Sequence, residues 1–134
     1  MFLNIKLKRT KTFKDTKYGD LTKEYRYNID VSNEDLESLE GSPKKVIGYF
    51  WCDNNKNLES LEGAPEYIGG NFYCYNCPNL KFEEIIKGLI NSEIKGNIET
   101  DYEEYDTKKE LDLAKKIGYN KWLKLFKVKE QIKK

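Results

Sequence analysis

Apolar and polar residues alternate in two short stretches near the middle of the chain. Residues 49–53 read Tyr-Phe-Trp-Cys-Asp, and residues 71–75 read Asn-Phe-Tyr-Cys-Tyr. Successive side chains of a β-strand point to opposite faces, so the alternation predicts two strands. The phenylalanines and cysteines are expected on an inner face, and Trp51 and Tyr73 on the outer face.

The two stretches belong to an internal repeat with a period of 22 residues. Residues 36–57 read LESLEGSPKKVIGYFWCDNNKN, and residues 58–79 read LESLEGAPEYIGGNFYCYNCPN. Such a duplication predicts that equivalent residues of the two copies lie side by side. A degenerate half-repeat is expected upstream, with residues 29–33 in the place of residues 51–55.

Strands are also predicted outside the repeat. Residues 2–8 and 24–31 alternate between apolar and polar side chains. They predict a β-hairpin, or two early strands that lead into the repeat. Residues 94–98 predict one more short strand after it.

The segment after the repeat otherwise predicts helices. Apolar residues recur at helical spacing over residues 82–90. The capping box Thr107-x-x-Glu110 predicts the start of a second helix, which Gly118 ends in a left-handed cap. A third helix is expected from Asn120 onward.

These elements predict one α+β domain over residues 1–134. A period of 22 residues with Leu-x-x-Leu and a later apolar-x-apolar-x-x-Asn is the leucine-rich-repeat pattern. We therefore expect a minimal leucine-rich-repeat-like β-solenoid: N-terminal strands over 1–35, two repeats over 36–81 and a mainly helical C-terminal cap over 82–134. Because stable stacks usually need three or more repeats, the flanking elements must close both ends.

The repeat motif resembles that of a family of small viral proteins. Its consensus, SLEGxPxxVxGxFxCxxN, is similar to the short leucine-rich-like repeats of bacteriophage-encoded proteins and, more distantly, to the repeats of bacterial effector proteins. The resemblance covers residues 29–82. It implies an accessory protein in the host cytoplasm that binds and inhibits a host protein, with host defence machinery as a target class. It supplies no catalytic residue.

Composition excludes several kinds of chemistry. The chain has no His, so Ser-His-Asp sites, Cys-His sites and His-ligated metals are ruled out. It carries no glycine-rich phosphate loop, and we predict neither catalysis nor a cofactor. Since no apolar run reaches transmembrane length and no export signal is recognised, a cytoplasmic protein without a membrane partner is expected.

Charge is segregated along the chain although the net charge is only +1. Residues 1–31 carry eight basic and four acidic side chains, residues 32–106 carry six and sixteen, and residues 107–134 carry ten and three. This acidic centre between basic ends either steers partners or docks on those ends within one molecule.

The three cysteines are interpreted as structural residues. Cys74-x-x-Cys77 suggests zinc or redox chemistry, but a structural zinc site needs four ligands and only Cys52 remains as a third. The repeat places Cys52 and Cys74 on the inner face and Cys77 at the following bend. We therefore predict no metal site and, in a reducing cytosol, free thiols.

The outer side chains of the two repeats are the candidate binding site. Tyr49, Trp51, Asp53, Tyr73 and Tyr75 are expected to line one face. Trp and Tyr dominate the energetics of protein interfaces, which favours contact with a host protein or, in a homo-oligomer, with a second copy. The opposing interpretation is that a terminal element folds over this face and buries it.

The alternative function is nucleic-acid binding through the Lys-rich C-terminal helices. Lys121, Lys124 and Lys127 would contact phosphates in a salt-dependent manner. The segment contains no Arg, the residue favoured for bidentate contacts to bases and phosphates. Lysines also surround the apolar stripe of an ordinary amphipathic helix, so the binding module is the main hypothesis.

Overall fold

The computed structural model describes residues 11–19 and 23–133. The strand predicted over residues 2–8 lies outside the described residues. Helices and strands follow one another along the rest of the chain, after a single 3-10 turn over Phe13–Asp15. Their bounds are β1 (Glu24–Tyr25), β2 (Ile29–Asp30), β3 (Lys45–Val46), β4 (Phe50–Trp51), β5 (Tyr67–Ile68), β6 (Phe72–Tyr73), α1 (Phe82–Leu89), β7 (Glu93–Ile94), β8 (Ile98–Glu99), α2 (Thr107–Ile117) and α3 (Tyr119–Ile132).

Alternate strands belong to two different parallel sheets. The first sheet has the order β1-β3-β5-β7, and the second has the order β2-β4-β6-β8. Within the second sheet the 22-residue period sets the register, so that Phe50 pairs with Phe72. Upstream, Ile29 pairs with Phe50 rather than with Trp51. The predicted half-repeat alignment is therefore wrong by one residue, because Ile29 must point inward with Phe50.

The predicted fold class, a minimal leucine-rich-repeat-like β-solenoid between separate caps, is wrong. Two parallel four-stranded sheets run from residue 24 to residue 99 instead. Residues 24–31, expected in a hairpin or as early strands, supply one parallel strand to each sheet. Residues 93–99, where one short strand was expected within the mainly helical cap, supply two strands, β7 and β8. Helix α1 lies in the last connection of both sheets, as helices do in parallel α/β crossovers.

A buried asparagine holds the bend after β4. The Asn55 side chain is fully buried, and its Oδ1 accepts from the backbone N–H groups of Glu34 and Leu36, both at 3.1 Å. Its Nδ2 donates to the carbonyl oxygens of Val31 and Cys52 at 3.1 and 2.9 Å. The amide thereby satisfies backbone groups that would otherwise be buried without partners.

Three helices close the end of the sheets. Helix α1 buries Phe82, Ile85, Ile86 and Leu89, which confirms the helix predicted from their spacing. Helices α2 and α3 pack against α1, with the Phe126 ring 5.5 Å from that of Phe82. No helix among residues 11–19 and 23–133 has the length and apolar character required to cross a membrane.

The C-terminal end of α2 was predicted, but its N-terminal cap was not. The helix ends at Gly118 as predicted, and the Gly118 N–H donates to the Ala114 carbonyl at 2.8 Å. The predicted left-handed cap is wrong, because Gly118 combines a φ of +93° with a ψ of 149°. The predicted capping box is wrong, because Asp106 caps the helix by accepting from the Lys109 N–H at 3.2 Å. Glu110 instead accepts from the indole N–H of Trp122 at 3.4 Å and ties α2 to α3.

Candidate partner-binding face

Three aromatic rings group on the outer side of the second sheet. Trp51 and Tyr73 pair in register, and their rings stack with centroids 5.3 Å apart and planes 8° apart. Tyr49 lies beside them, at 5.6 Å from Trp51 and 6.2 Å from Tyr73. Trp51 and Tyr73 are partly exposed and Tyr49 is 41% exposed. Among the described residues, no terminal element seals these rings from water.

The strand geometry explains why these rings point outward. Phe50 and Phe72 fill the interior beside them, so the next residue of each strand must face solvent. Gly70 also determines where the Tyr49 ring can lie, a role that was not predicted from the sequence. A Cβ placed at residue 70 would lie 1.8 Å from Cδ1 of Tyr49, so the absence of a side chain there makes room for the Tyr49 ring.

Asp53 and Tyr75 form the polar part of the face. Asp53 Oδ1 accepts from the Tyr75 N–H at 2.7 Å, and the Tyr75 hydroxyl donates to Glu99 Oε2 at 2.9 Å. The bond to Glu99 raises the pKa of Tyr75 to about 12, because ionisation would place two negative charges together. Partial burial, with the nearby Asp30 and Asp101, raises the pKa of Asp53.

Four carboxylates lie on the candidate face or beside it, and we call them the acidic rim: Asp30, Asp53, Glu99 and Asp101. The register places Asp30 opposite Trp51 and Glu99 opposite Tyr73. Only Asp53 was predicted from the sequence. The other three follow from strand pairings with spacings of 21 and 26 residues on either side of the 22-residue repeat, and no pattern in the sequence marks those spacings.

The lysines of the alternative function lie elsewhere. Lys121, Lys124 and Lys127 are all exposed on α3, which packs against α1 and α2. They are interleaved with exposed apolar side chains, including Leu125 at 50% and Val128 at 53%. A phosphate-binding surface has no need of such side chains, so this arrangement does not strengthen the nucleic-acid alternative.

The three cysteines are free and buried. Cys52 donates its S–H to the Tyr73 carbonyl, and Cys77 donates to the Cys52 carbonyl, each at 3.3 Å. Burial raises the pKa of all three thiols, so they are protonated near neutral pH. Within the described part of the chain, no cluster of three or more Cys, Asp or Glu side chains is arranged to hold a metal ion.

Comparisons with known proteins assign nothing further to this geometry. No family model, no curated protein and no solved structure matches the chain. The resemblance to bacteriophage repeat proteins accordingly stays a prediction, and the interpretation of the face rests on its own residues.

Proposed function

We propose that this protein is a non-catalytic binding module that docks on another protein through Tyr49, Trp51, Asp53, Tyr73 and Tyr75. The observation that supports it is the partly exposed stack of Trp51 and Tyr73 with Tyr49 beside it. Large aromatic side chains at the centre of a surface supply most of the binding energy of protein interfaces.

The rigidity of the face favours binding. Asn71 Nδ2 donates to the Tyr73 hydroxyl at 2.8 Å, and Glu99 accepts from the Tyr75 hydroxyl. Side chains that are already held in place lose little conformational entropy when a partner arrives. The rings need not rearrange to form a contact.

The resemblance of the repeat supports the biological part of the proposal. It favours a bacteriophage accessory protein in the host cytoplasm whose partner is a host protein, with inhibition of host defence machinery as its role. The partner's contact surface must be complementary to aromatic rings bordered by carboxylates.

The test is capture from a bacterial lysate followed by reconstitution with the purified partner. The double variant Trp51→Ala, Tyr73→Ala should weaken the reconstituted complex at least about thirtyfold, because hot-spot truncations cost about 2 kcal/mol or more. The control is Tyr27→Ala, which truncates a tyrosine that is 73% exposed and lies outside the face.

The proposal is contradicted if the double variant, still folded by circular dichroism, binds the same partner with unchanged affinity. Equal loss of the partner with Tyr27→Ala would also contradict it, because the effect of the double variant would then not be specific to the face.

A further inference from the structure

Among the described residues, only Tyr73 stacks on the indole of Trp51, so the second face of the indole, which we call the uncovered face, carries no ring. Tyr73 covers the side of Trp51 that is directed toward β6. Tyr49 lies at similar distances from both rings, 5.6 and 6.2 Å, so it sits beside the stack and not on its end. The opposite face of the indole is therefore directed toward β2, where the paired residue is Asp30.

The surface combines an aromatic face with negative charge that no ion pair of the described residues neutralises. The ion pairs among the described residues are Lys11–Glu34, Lys95–Glu93 and Lys133–Glu130, and none includes the acidic rim. The equivalent position on the first sheet differs. There Lys45 pairs in register with Tyr67 and places its Nζ 5.2 Å from the ring centroid.

We infer that the partner supplies the missing cation: an arginine side chain that stacks on the uncovered face of Trp51 and pairs with Asp30. This inference rests on the proposed function and specifies the chemistry of the partner. A guanidinium group is planar, so it stacks on an indole and pairs with a carboxylate at the same time. The remaining rim carboxylates, including Asp53, attract the positive segment around it.

A minimal probe tests the inference without the natural partner. The peptide acetyl-Gly-Arg-Gly-amide is titrated into ¹⁵N-labelled protein, and its counterpart with citrulline has the same shape without the charge. The indole N–H signal of Trp51 is expected to shift saturably with the arginine peptide. Trp122, 1% exposed in the core, is an internal control whose signal should stay in place.

Variants separate the two contacts of the guanidinium. Asp30→Asn should weaken binding of the arginine peptide about two- to fivefold, as expected for an exposed ion pair. Glu93→Gln, which changes an exposed carboxylate of the first sheet, is the matched control and should leave binding unchanged. Raising the ionic strength should weaken the wild-type complex toward the Asp30→Asn level.

The inference is overturned if the citrulline peptide binds as well as the arginine peptide, or if Asp30→Asn has no effect. This failure is distinct from failure of the proposed function. If Trp51→Ala, Tyr73→Ala still abolishes capture of a partner while the arginine peptide does not bind, the face is an interface for a different chemistry. If the double variant leaves capture intact, the proposed function itself fails.

Discussion

Two stacked aromatic pairs lie one residue apart on the same two strands. Phe50 and Phe72 stack inside the molecule at 5.6 Å, and both are fully buried. Trp51 and Tyr73 stack outside at 5.3 Å and stay partly exposed. Ring distance and strand pairing are nearly the same in the two pairs, so the difference between them is burial.

This difference separates stability from recognition. The inner pair removes apolar surface from water on folding, which is the main source of stabilisation of a small domain. The outer pair leaves part of its apolar surface exposed to water after folding. Burial of that surface can therefore stabilise a complex when a partner binds. The four predictions that follow test this separation.

Phe72→Ala should lower the free energy of unfolding by about 3–5 kcal/mol, because it leaves a cavity beside Phe50 in a fully buried part of the core. Chemical denaturation measures the change. Tyr73→Ala, on the next residue of the strand, is the control and should cost much less. Equal losses at the two positions would show that the outer pair is as structural as the inner one.

Asn55→Ala tests whether the interior depends on the buried, hydrogen-bonded amide of Asn55 as well as on its rings. We expect a loss of about 2–3 kcal/mol, because buried backbone groups on both sides of the bend lose their partners. The exposed Asn57, mutated to Ala, is the matched control in the same denaturation experiment. A negligible loss at residue 55 would mean that water replaces the amide.

Trp51→Ala should reduce stability by about 1 kcal/mol, the scale of one stacked pair, while it abolishes binding of the arginine peptide. Thermal unfolding measures the first effect. The peptide titration measures the second, followed in this variant by the backbone amide signal of Tyr73 because the indole signal of residue 51 is lost. A large fall in melting temperature would instead assign Trp51 to the core.

Asp53→Asn should give the smallest change and should be stabilising. The pKa of Asp53 is raised in the folded state, so its charged form opposes folding at neutral pH. The gain, below about 1 kcal/mol for a partly exposed group, should disappear as the pH falls below about 4, where the carboxyl is protonated in both states.

Melting curves of Asp53→Asn at pH 7 and pH 3 measure this effect. Asp112→Asn on the exposed side of α2 is the control. Destabilisation at pH 7 would show that the hydrogen bond from the Tyr75 N–H needs the charged oxygen.

Local features of the fold could be predicted from the sequence. The alternation around Phe50 and Phe72 identified the buried and outward residues, the spacing over residues 82–90 identified α1, and Gly118 identified a turn. Each of these signals depends on neighbours within a few residues of the same segment.

Features that depend on two distant segments were missed. Residues 24–31 alternate like a hairpin strand but divide between two parallel sheets, because both β1 and β2 find partners one repeat ahead. The cap of α2 was missed for a local reason, because Asp106 and Thr107 are both favoured N-cap residues and the side chain of Asp106 forms the cap.

The candidate face was predicted only in part, because one border of it depends on a distant segment. Tyr49, Trp51, Tyr73 and Tyr75 followed from the period of the repeat, but Glu99 lies 26 residues beyond Tyr73 because helix α1 lengthens that connection. Its place beside the rings depends on the pairing of β8, which leaves no local pattern.

By itself, the sequence determined which side chains of the repeat are buried and which are outward, because alternation along a strand is a local property of the backbone. The tertiary structure decided that two parallel sheets form and that Asp30 and Glu99 border the rings. Hydrogen-bond register joins segments more than twenty residues apart, and only the folded chain brings those segments, and therefore the acidic rim and the aromatic stack, together.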